Sequence, residues 1–145
     1  MVESKTLVTF SEQETFLLGK ELSRELKPGD VISLEGDLGT GKTIITKGIA
    51  AGLDITEPIT SPTFTLVNTY EGEITLHHFD VYRINDPEEL YAIGWDEYFS
   101  DDAITVVEWG DRVLEMLPDN TIRIRINRDD EDFNKRNLNI ERLSK

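Results

Sequence analysis

Residues 36–43 of this 145-residue chain read Gly36-Asp37-Leu38-Gly39-Thr40-Gly41-Lys42-Thr43. They fit G-x-x-x-x-G-K-[ST], a loop whose backbone wraps phosphate groups. The glycines let the backbone turn with its N–H groups pointing inward, which makes a concave nest for anionic oxygens. Lys42 adds a positive charge for the β- and γ-phosphates, and the hydroxyl of Thr43 is a ligand for Mg²⁺. The stretch therefore predicts a phosphate-binding site.

The sequence on either side of this loop has the pattern that the motif requires. Residues 31–34 predict a short buried strand, and residues 43–51 predict a helix that Gly52 ends. The positive end of that helix dipole points at the same phosphates. We therefore expect a nucleotide to bind through the whole loop, that is, through Gly36, Asp37, Leu38, Gly39, Thr40, Gly41, Lys42 and Thr43.

The rest of the sequence predicts an α/β fold of the P-loop NTPase type, a three-layer sandwich formed by one domain over residues 1–145. Further strands are expected at residues 6–9, 64–70, 74–79, 103–107, 121–126 and 138–143. Helices are expected from Ser11 along an apolar stripe that includes Leu17, from Asp86 to Ile93, and at residues 112–117. The natural assembly is a central, mostly parallel sheet with added antiparallel strands and helices on its faces.

Composition narrows the class of protein. Cysteine is absent, which excludes disulfides and thiolate metal sites. Residues 1–5 lack a signal pattern and no apolar run has the length of a membrane span, so a cytoplasmic protein without a membrane partner is expected. The net charge is −14; residues 121–145 hold seven Lys or Arg against five Asp or Glu, a balance of +2, which leaves −16 for residues 1–120. So acidic a body disfavours unaided binding to DNA or RNA.

Two acidic residues, Asp80 and Glu108, each follow a predicted apolar strand. Ligands of open α/β sheets lie at the carboxyl ends of the strands, so both carboxylates are expected near the phosphates. One would hold Mg²⁺, directly or through water, and the other would orient an attacking water; the pattern does not assign which. Strand alternation puts His77 with Phe79 on one face and His78 with Asp80 on the other. Two histidines without cysteine favour packed or surface residues over a zinc site.

Several other residues near these motifs have two interpretations. Trp109 is either a core or surface residue or a stacking residue beside the nucleotide. Residues 61–64, Ser-Pro-Thr-Phe, form either an ordinary turn or a switch loop that responds to the γ-phosphate. Arg83 either neutralises developing phosphate charge or pairs with a carboxylate. Residues 134–137, Asn-Lys-Arg-Asn, lack the final Asp of the N-K-x-D guanine loop, which favours adenine as the base.

Taken together, these motifs resemble one family, the bacterial tRNA threonylcarbamoyladenosine biosynthesis ATPases known as TsaE or YjeE. The similarity covers most of residues 10–110 and lies in GDLGTGKT at 36–43, SPTFTLV at 61–67, HFDVYRINDPEEL at 78–90 and VVEW at 106–109. Phosphate loops of this type are common, whereas the ordered combination at these spacings is specific to the family.

The resemblance implies a small P-loop fold and a cytoplasmic, Mg²⁺-dependent ATPase that is weak alone, with ATP and Mg²⁺ as cofactors. It implies support for the placing of threonylcarbamoyl on adenosine 37 of tRNAs that read codons beginning with A, without performing that transfer. The implied partners are TsaD and TsaB, on whose heterodimer the protein docks. The tRNA is then a partner only indirectly, through the complex.

The resemblance also implies roles for residues at matching positions. Lys42 and the backbone of residues 36–43 bind phosphates, and Thr43 and Glu108 hold Mg²⁺. Asp80 supports hydrolysis, so that Lys42, Asp80 and Glu108 are the expected catalytic residues.

The remaining implied contacts surround the nucleotide. Trp109 lies near it, residues 61–64 resemble the switch loop of the family, and Ser11 and Thr15 border the adenine. The roles of Ser11 and Thr15 are expectations that depend on the resemblance alone.

Two other functions remain open from the sequence. A small-molecule P-loop kinase would need arginines over its acceptor, and residues 1–120 contain only Arg24, Arg83 and Arg112. A nucleotide switch that binds without hydrolysis would regulate a partner by binding alone.

Alternation at residues 121–126 also predicts a basic face, Arg123 and Arg125, that could contact tRNA within a complex.

Overall fold

Seven strands pair into one mixed sheet in a computed structural model that describes residues 4–37, 39–100 and 102–143. The strands are β1 (Lys5–Thr9), β2 (Val31–Glu35), β3 (Val67–Tyr70), β4 (Thr75–Asp80), β5 (Ala103–Glu108), β6 (Ile122–Arg128) and β7 (Arg136–Arg142). The α-helices of the described residues are α1 (Glu12–Leu22) and α2 (Lys42–Gly52), and the 3-10 helices are Ser23–Glu25, Pro87–Ile93, Trp95–Tyr98 and Gly110–Met116. The strand order is β1-β7-β6-β2-β5-β4-β3.

The centre of the sheet is parallel and its edges are antiparallel. Strands β6, β2, β5 and β4 run parallel to one another, whereas β3 at one edge and β7 and β1 at the other run antiparallel to their neighbours. The predicted α/β fold, a mostly parallel sheet with added antiparallel strands, is therefore confirmed. The register pairs Asp80 with Glu108, so that the two strand-end acids lie side by side at the carboxyl edge.

The two α-helices cover one face of the sheet. Alternation along β2 turns Ile32 and Leu34 toward them, where they join a buried cluster with Ile49 of α2. The helices approach so closely that a Cβ atom on Gly48 would lie 2.1 Å from the backbone oxygen of Phe16. This close approach packs the second half of α2 directly against α1. In the part of the chain that the structure describes, no helix has the length and apolarity needed to cross a membrane.

The opposite face of the sheet is covered by the 3-10 helices Pro87–Ile93, Trp95–Tyr98 and Gly110–Met116, which complete the three layers. Phe79 of β4 and Val107 of β5 point into a second buried cluster with Leu90, Trp95 and Val113. The ring of Phe79 meets that of Trp95 edge-on, with 4.9 Å between centroids. These contacts cover β4 and β5 on the face away from α2.

Two segments predicted as helices differ from the structure in helix type. Residues 86–93 and 112–117 fall in 3-10 helices rather than α-helices. The predicted start and end of the first are both confirmed, because Asp86 caps it in a capping box and Gly94, at φ of 78°, ends it after Ile93. A helix this short buries only Leu90, so it does not need the wider apolar stripe of an α-helix.

Two smaller expectations were also wrong. The strand predicted at residues 64–70 begins only at Val67, because Leu66 adopts the left-handed φ of 71° that interrupts an extended chain. Phe64 consequently lies outside the sheet and is 84% exposed. Leu17, placed on the buried stripe of α1, is 49% exposed, because α1 packs on α2 through the neighbouring face that carries Gly19.

Candidate functional site

The phosphate-loop motif forms the turn between β2 and α2. Gly39 and Gly41 take left-handed φ values of 76° and 115°, which favour glycine over residues with side chains. Gly41 is the N-cap of α2 and offers no capping side chain, so the first N–H groups of the helix are left for an anion. Leu38, also predicted to bind phosphate, lies outside the described residues.

Lys42 is held inside the loop that it follows. Its side chain is buried, and Nζ donates hydrogen bonds to the carbonyl oxygens of Gly36 at 2.6 Å and Asp37 at 2.8 Å. Nζ also lies 4.1 Å from the centroid of the Trp109 ring. Burial lowers the pKa of Lys42 below its ordinary value, against the opposing pull of nearby carboxylates, of which Glu108 is the strongest. A buried ammonium group thus stands at the mouth of the backbone nest.

The two strand-end acids make different contacts. The hydroxyl of Thr43 donates to Glu108, at 3.2 Å from Oε1 and 3.1 Å from Oε2. Asp80 instead accepts hydrogen bonds from the hydroxyl of Thr63 at 3.2 Å and from the backbone N–H of Tyr82 at 2.9 Å. Hydroxyl and carboxylate oxygens are the ligands that Mg²⁺ takes, so the convergence of Thr43 and Glu108 fits a magnesium ion.

The adjacent histidines lie on opposite faces of β4, as alternation predicts. His78 is fully buried on the face of Asp80, and its Nε2 lies 2.5 Å from Oε2 of Glu108. His77 faces the other way, where its Nδ1 is 2.9 Å from the Thr69 hydroxyl. Only His78 therefore belongs to the surroundings of the phosphate loop.

Trp109 and the loop of residues 61–64 close the sides of the site. The N–H of Trp109 donates to the Leu34 carbonyl oxygen at 2.8 Å, and its φ of 64° is left-handed. This backbone turn directs the indole over Lys42, although such a φ is unfavourable for a bulky residue. The hydroxyls of Ser61 and Thr63 lie 2.7 Å apart, and Thr63 connects this loop to the acids through Asp80.

These groups surround a cavity of about 290 Å³ at the carboxyl edge of the sheet. It is lined by Glu12, Gly39, Gly41, Lys42, Thr43, Ile44, Ser61, Thr63, Asp80, Glu108 and Trp109. The structure thus brings together the three predicted catalytic residues, both predicted metal ligands and Trp109. Among the other loop residues, Gly36 and Asp37 contact Lys42 through their carbonyl oxygens.

A second, smaller cavity of about 80 Å³ adjoins the first and shares Glu12, Gly39, Gly41 and Ile44 with it. The predicted adenine residues Ser11 and Thr15 line this cavity, as does the loop residue Thr40. The remaining lining comprises Phe133 and Asn134 of the turn between β6 and β7, and Arg136, the first residue of β7.

The sequence pattern did not single out these three residues as part of a site. Arg136 connects the turn to the phosphate loop, because its Nε donates to the carbonyl oxygen of Thr40 at 2.9 Å. The two segments are far apart in the chain, and only the antiparallel return of β7 beside β6 brings them together. Phe133 is 76% exposed. The exposure of this aromatic side chain marks it as a candidate site residue, but exposure is seen only in the structure.

The predicted basic face on β6 is balanced by carboxylates. Arg123 makes two hydrogen bonds to the buried Glu35, at 2.8 and 2.6 Å, and Arg125 pairs with Glu141. The hydroxyl of Ser33 donates to the same Glu35 carboxylate at 2.9 Å. Since Glu35 directly precedes the phosphate loop, this cluster anchors the loop to β6.

Fold and site together define a P-loop-like α/β protein, in which a parallel strand, a glycine loop and a helix meet two strand-end acids. A family model described as threonylcarbamoyl adenosine biosynthesis protein TsaE matches residues 9–138. The chain belongs to the TsaE family, whose members take part in tRNA threonylcarbamoyladenosine biosynthesis.

Individual relatives agree with this assignment. The chain is 45% identical over 125 residues to the tRNA threonylcarbamoyladenosine biosynthesis protein TsaE of Bacillus subtilis, covering 86% of this chain and 78% of that one. It is 44% identical over 119 residues to the TsaE protein of Treponema pallidum, covering 82% and 88%. The crystal structure of Bacillus subtilis YdiB superposes with a TM-score of 0.82 at 37% identity, over 99% of this chain and 88% of that one.

Proposed function

We propose that this chain binds ATP with Mg²⁺ and hydrolyses it, in support of threonylcarbamoyl transfer to adenosine 37 of tRNA by other proteins. One observation carries the proposal: Lys42, Thr43, Asp80 and Glu108 line a single cavity beside the nest of backbone N–H groups. Family membership supplies the pathway, and the geometry supports the nucleotide chemistry.

In this proposal the triphosphate occupies the larger cavity and the adenine the smaller one. The Nζ of Lys42 exchanges its loop carbonyl partners for β- and γ-phosphate oxygens, since a charged acceptor makes the stronger hydrogen bond. The N–H groups at the start of α2 donate to the same phosphates. Ser11 and Thr15 border the base, because they line the cavity that adjoins the loop.

Thr43 and Glu108 would hold the metal ion and Asp80 the attacking water. When bound, Mg²⁺ neutralises charge on the phosphate oxygens. Asp80 accepts a hydrogen bond from that water, whose oxygen bonds to the γ-phosphorus while the bond to the bridging oxygen breaks and ADP leaves with the electron pair. The proton of the water passes to solvent. The Thr63 hydroxyl, 3.2 Å from Asp80, restrains the carboxylate that orients the water.

The same hydrogen bond offers a route from the nucleotide to a docking surface on TsaB and TsaD. Thr63 belongs to the loop of residues 61–64, and the next residue, Phe64, is 84% exposed with the Arg83 guanidinium 4.4 Å from its ring centroid. An exposed aromatic stacked on arginine is typical of an anchor for a protein partner. Rearrangement of Thr63 when the γ-phosphate is bound or lost would move this anchor.

The test combines Glu108→Ala with the control Glu57→Ala, which removes an exposed acid outside the site. Mg²⁺-dependent ATP hydrolysis, measured with TsaB, TsaD and tRNA present, should fall at least about 100-fold in Glu108→Ala. Loss of an outer-shell partner already costs up to about 100-fold, and Glu108 is proposed to contact the metal itself. ATP binding measured in EDTA should change far less, and Glu57→Ala should behave as the unsubstituted chain. An unchanged Mg²⁺ titration in Glu108→Ala would remove this residue from the metal site.

The same reconstitution separates the two alternatives. Modified tRNA should accumulate over repeated turnovers only when this chain and hydrolysable ATP are both present. Equal support from a non-hydrolysable analogue would favour a switch that binds without hydrolysis, and a phosphorylated metabolite would favour a small-molecule kinase. A kinase would need arginines over its acceptor, but the guanidinium of Arg112 donates instead to the Tyr82 carbonyl oxygen at 2.8 Å. Arg112 therefore gives the kinase alternative no support.

A further inference from the structure

Glu108 depends on neighbouring groups for its orientation. Its side chain is almost fully buried at the end of β5, so the groups packed around it set the orientation of the carboxylate. Both oxygens lie within reach of the same Thr43 hydroxyl, at 3.2 and 3.1 Å, so that this contact alone does not decide which oxygen faces the cavity. A second contact is needed to fix the rotation of the carboxylate.

His78 supplies that contact from the neighbouring strand. The parallel register pairs His78 with Val106 and Asp80 with Glu108. The imidazole therefore lies two residues before Asp80 along β4, on the face of the sheet that carries both acids. Its Nε2 lies 2.5 Å from Oε2 of Glu108 and not from Oε1. A carboxylate that holds a metal ion accepts hydrogen bonds, so in the proposed magnesium site Nε2 is the donor of this pair.

The other ring nitrogen has no competing contact in the part of the chain that the structure describes. His78 is fully buried, and its Nδ1 has no hydrogen-bond partner among residues 4–37, 39–100 and 102–143. Burying an imidazole with half of its polar capacity unused is unfavourable, and an apolar residue would fill the same core position at lower cost. The hydrogen bond to Glu108 is what an apolar side chain at this position would lack.

We propose that His78 is a positioning residue for the metal site, which holds Oε2 of Glu108 and thereby leaves Oε1 to face the cavity beside Thr43. The inference depends on the proposed function, since it gives Glu108 its role as a magnesium ligand. Outer-shell hydrogen bonds of this kind set the orientation of ligating side chains and hence metal affinity. The ring is not itself a ligand, because Nε2 is used by Glu108.

His77 provides a matched control. It is the same residue type, one position earlier on the same strand, but it contacts the Thr69 hydroxyl and the edge of the Tyr98 ring on the opposite face. His77→Leu thus makes the same chemical change without touching Glu108. His78→Gln serves as the conservative variant, because its side-chain amide can still donate toward Oε2, whereas His78→Leu cannot.

The experiment measures binding of a fluorescent ADP analogue during a Mg²⁺ titration and, in parallel, in EDTA, with folding of each variant checked by circular dichroism. In His78→Leu the Mg²⁺ concentration at half-saturation should rise about 10–100-fold, while affinity in EDTA stays within about twofold. His78→Gln should recover most of the loss, and His77→Leu should match the unsubstituted chain. Should His78→Leu not fold, His78→Asn, whose shorter amide does not reach Oε2, is expected to show the same loss.

Two outcomes would overturn the inference. The first is an unchanged Mg²⁺ midpoint in a folded His78→Leu or His78→Asn variant. The second is an equal loss of affinity with and without Mg²⁺, which indicates a packing role only. If the unsubstituted chain binds no nucleotide, the proposed function fails together with this inference. Measuring the unsubstituted chain first therefore distinguishes that failure from a failure of the His78 inference alone.

Discussion

The buried pair Glu35–Arg123 gives a sharp prediction about how the phosphate loop is anchored. The two side chains are 6% and 17% exposed, and the guanidinium donates two hydrogen bonds to the carboxylate, which raises the pKa of Arg123 above its ordinary value. Removing one partner of a buried pair leaves an uncompensated charge and costs about 3–5 kcal/mol when burial is complete. Arg123 of the predicted basic face is thus joined to Glu35, the residue directly before the phosphate loop.

The magnitude follows from what each substitution leaves behind. Arg123→Met leaves Glu35 with the Ser33 hydroxyl and with Arg125 at 3.9 Å, so we expect a loss of about 3 kcal/mol, the low end of the range. Glu35→Gln leaves a guanidinium that water can still reach, so about 2 kcal/mol is expected. The double variant should cost about 3 kcal/mol rather than the sum, which gives a coupling energy of about 2 kcal/mol.

Urea unfolding at neutral pH, followed by tryptophan fluorescence, measures these free energies. In thermal unfolding, the same loss of about 3 kcal/mol should lower Tm by about 6–12 °C for a chain of this size. Arg125→Met is the control, because Arg125 lies 3.9 Å from Glu35 without donating a hydrogen bond to it. Arg125 and Glu141 are 41% and 39% exposed, and their pair should contribute no more than about 1 kcal/mol. Additive single losses, or an Arg123→Met variant as stable as Arg125→Met, would refute the anchoring role.

Three further predictions concern packing, pH and docking. Gly48→Ala places a Cβ atom 2.1 Å from the Phe16 carbonyl oxygen and should cost at least about 1–3 kcal/mol in urea unfolding, whereas Gly72→Ala, whose Cβ meets nothing nearer than 3.4 Å, should be nearly neutral. Burial lowers the pKa of His77, against the opposing pull of nearby carboxylates. The unfolded chain therefore takes up the proton first, and the free energy of unfolding should fall as the pH drops below about 6.5. His77→Gln should flatten that part of the pH profile, and an unchanged profile would contradict the assignment. Phe64→Ala should weaken binding to the TsaB–TsaD complex at least about tenfold, the cost of losing a hot-spot aromatic, with ATP affinity unaltered; equal complex affinity would exclude Phe64 as an anchor.

The parts of the fold that the sequence predicts are those set by local pattern. The strand before residues 36–43 and the helix after them follow from hydrophobic periodicity and glycine chemistry, and both are present as β2 and α2. Asp80 and Glu108 could be placed together because each ends an apolar strand, and the parallel register then pairs them. Local pattern plus the general rule for ligand position was sufficient for this part of the site.

The features that the sequence did not predict depend on contacts between distant segments. Phe133 and Arg136 reach the smaller cavity only because β7 returns antiparallel beside β6, a pairing that no short motif encodes. The left-handed φ of Leu66, which shortens β3, is likewise imposed by surrounding structure and not by the preference of leucine. Pairing of Arg123 with Glu35 joins two strands whose adjacency in the sheet had to be known first.

Calorimetric titration of ATP with Mg²⁺ into the unsubstituted chain, Lys42→Ala and Lys47→Ala tests the central claim most directly. Lys47 is an exposed lysine of the same helix and controls for net charge. We predict binding at one site, lost by at least about 100-fold in Lys42→Ala, in line with removal of a charge-assisted contact to two phosphates, and retained in Lys47→Ala. No heat from the unsubstituted chain, or equal affinity in Lys42→Ala, would contradict the account.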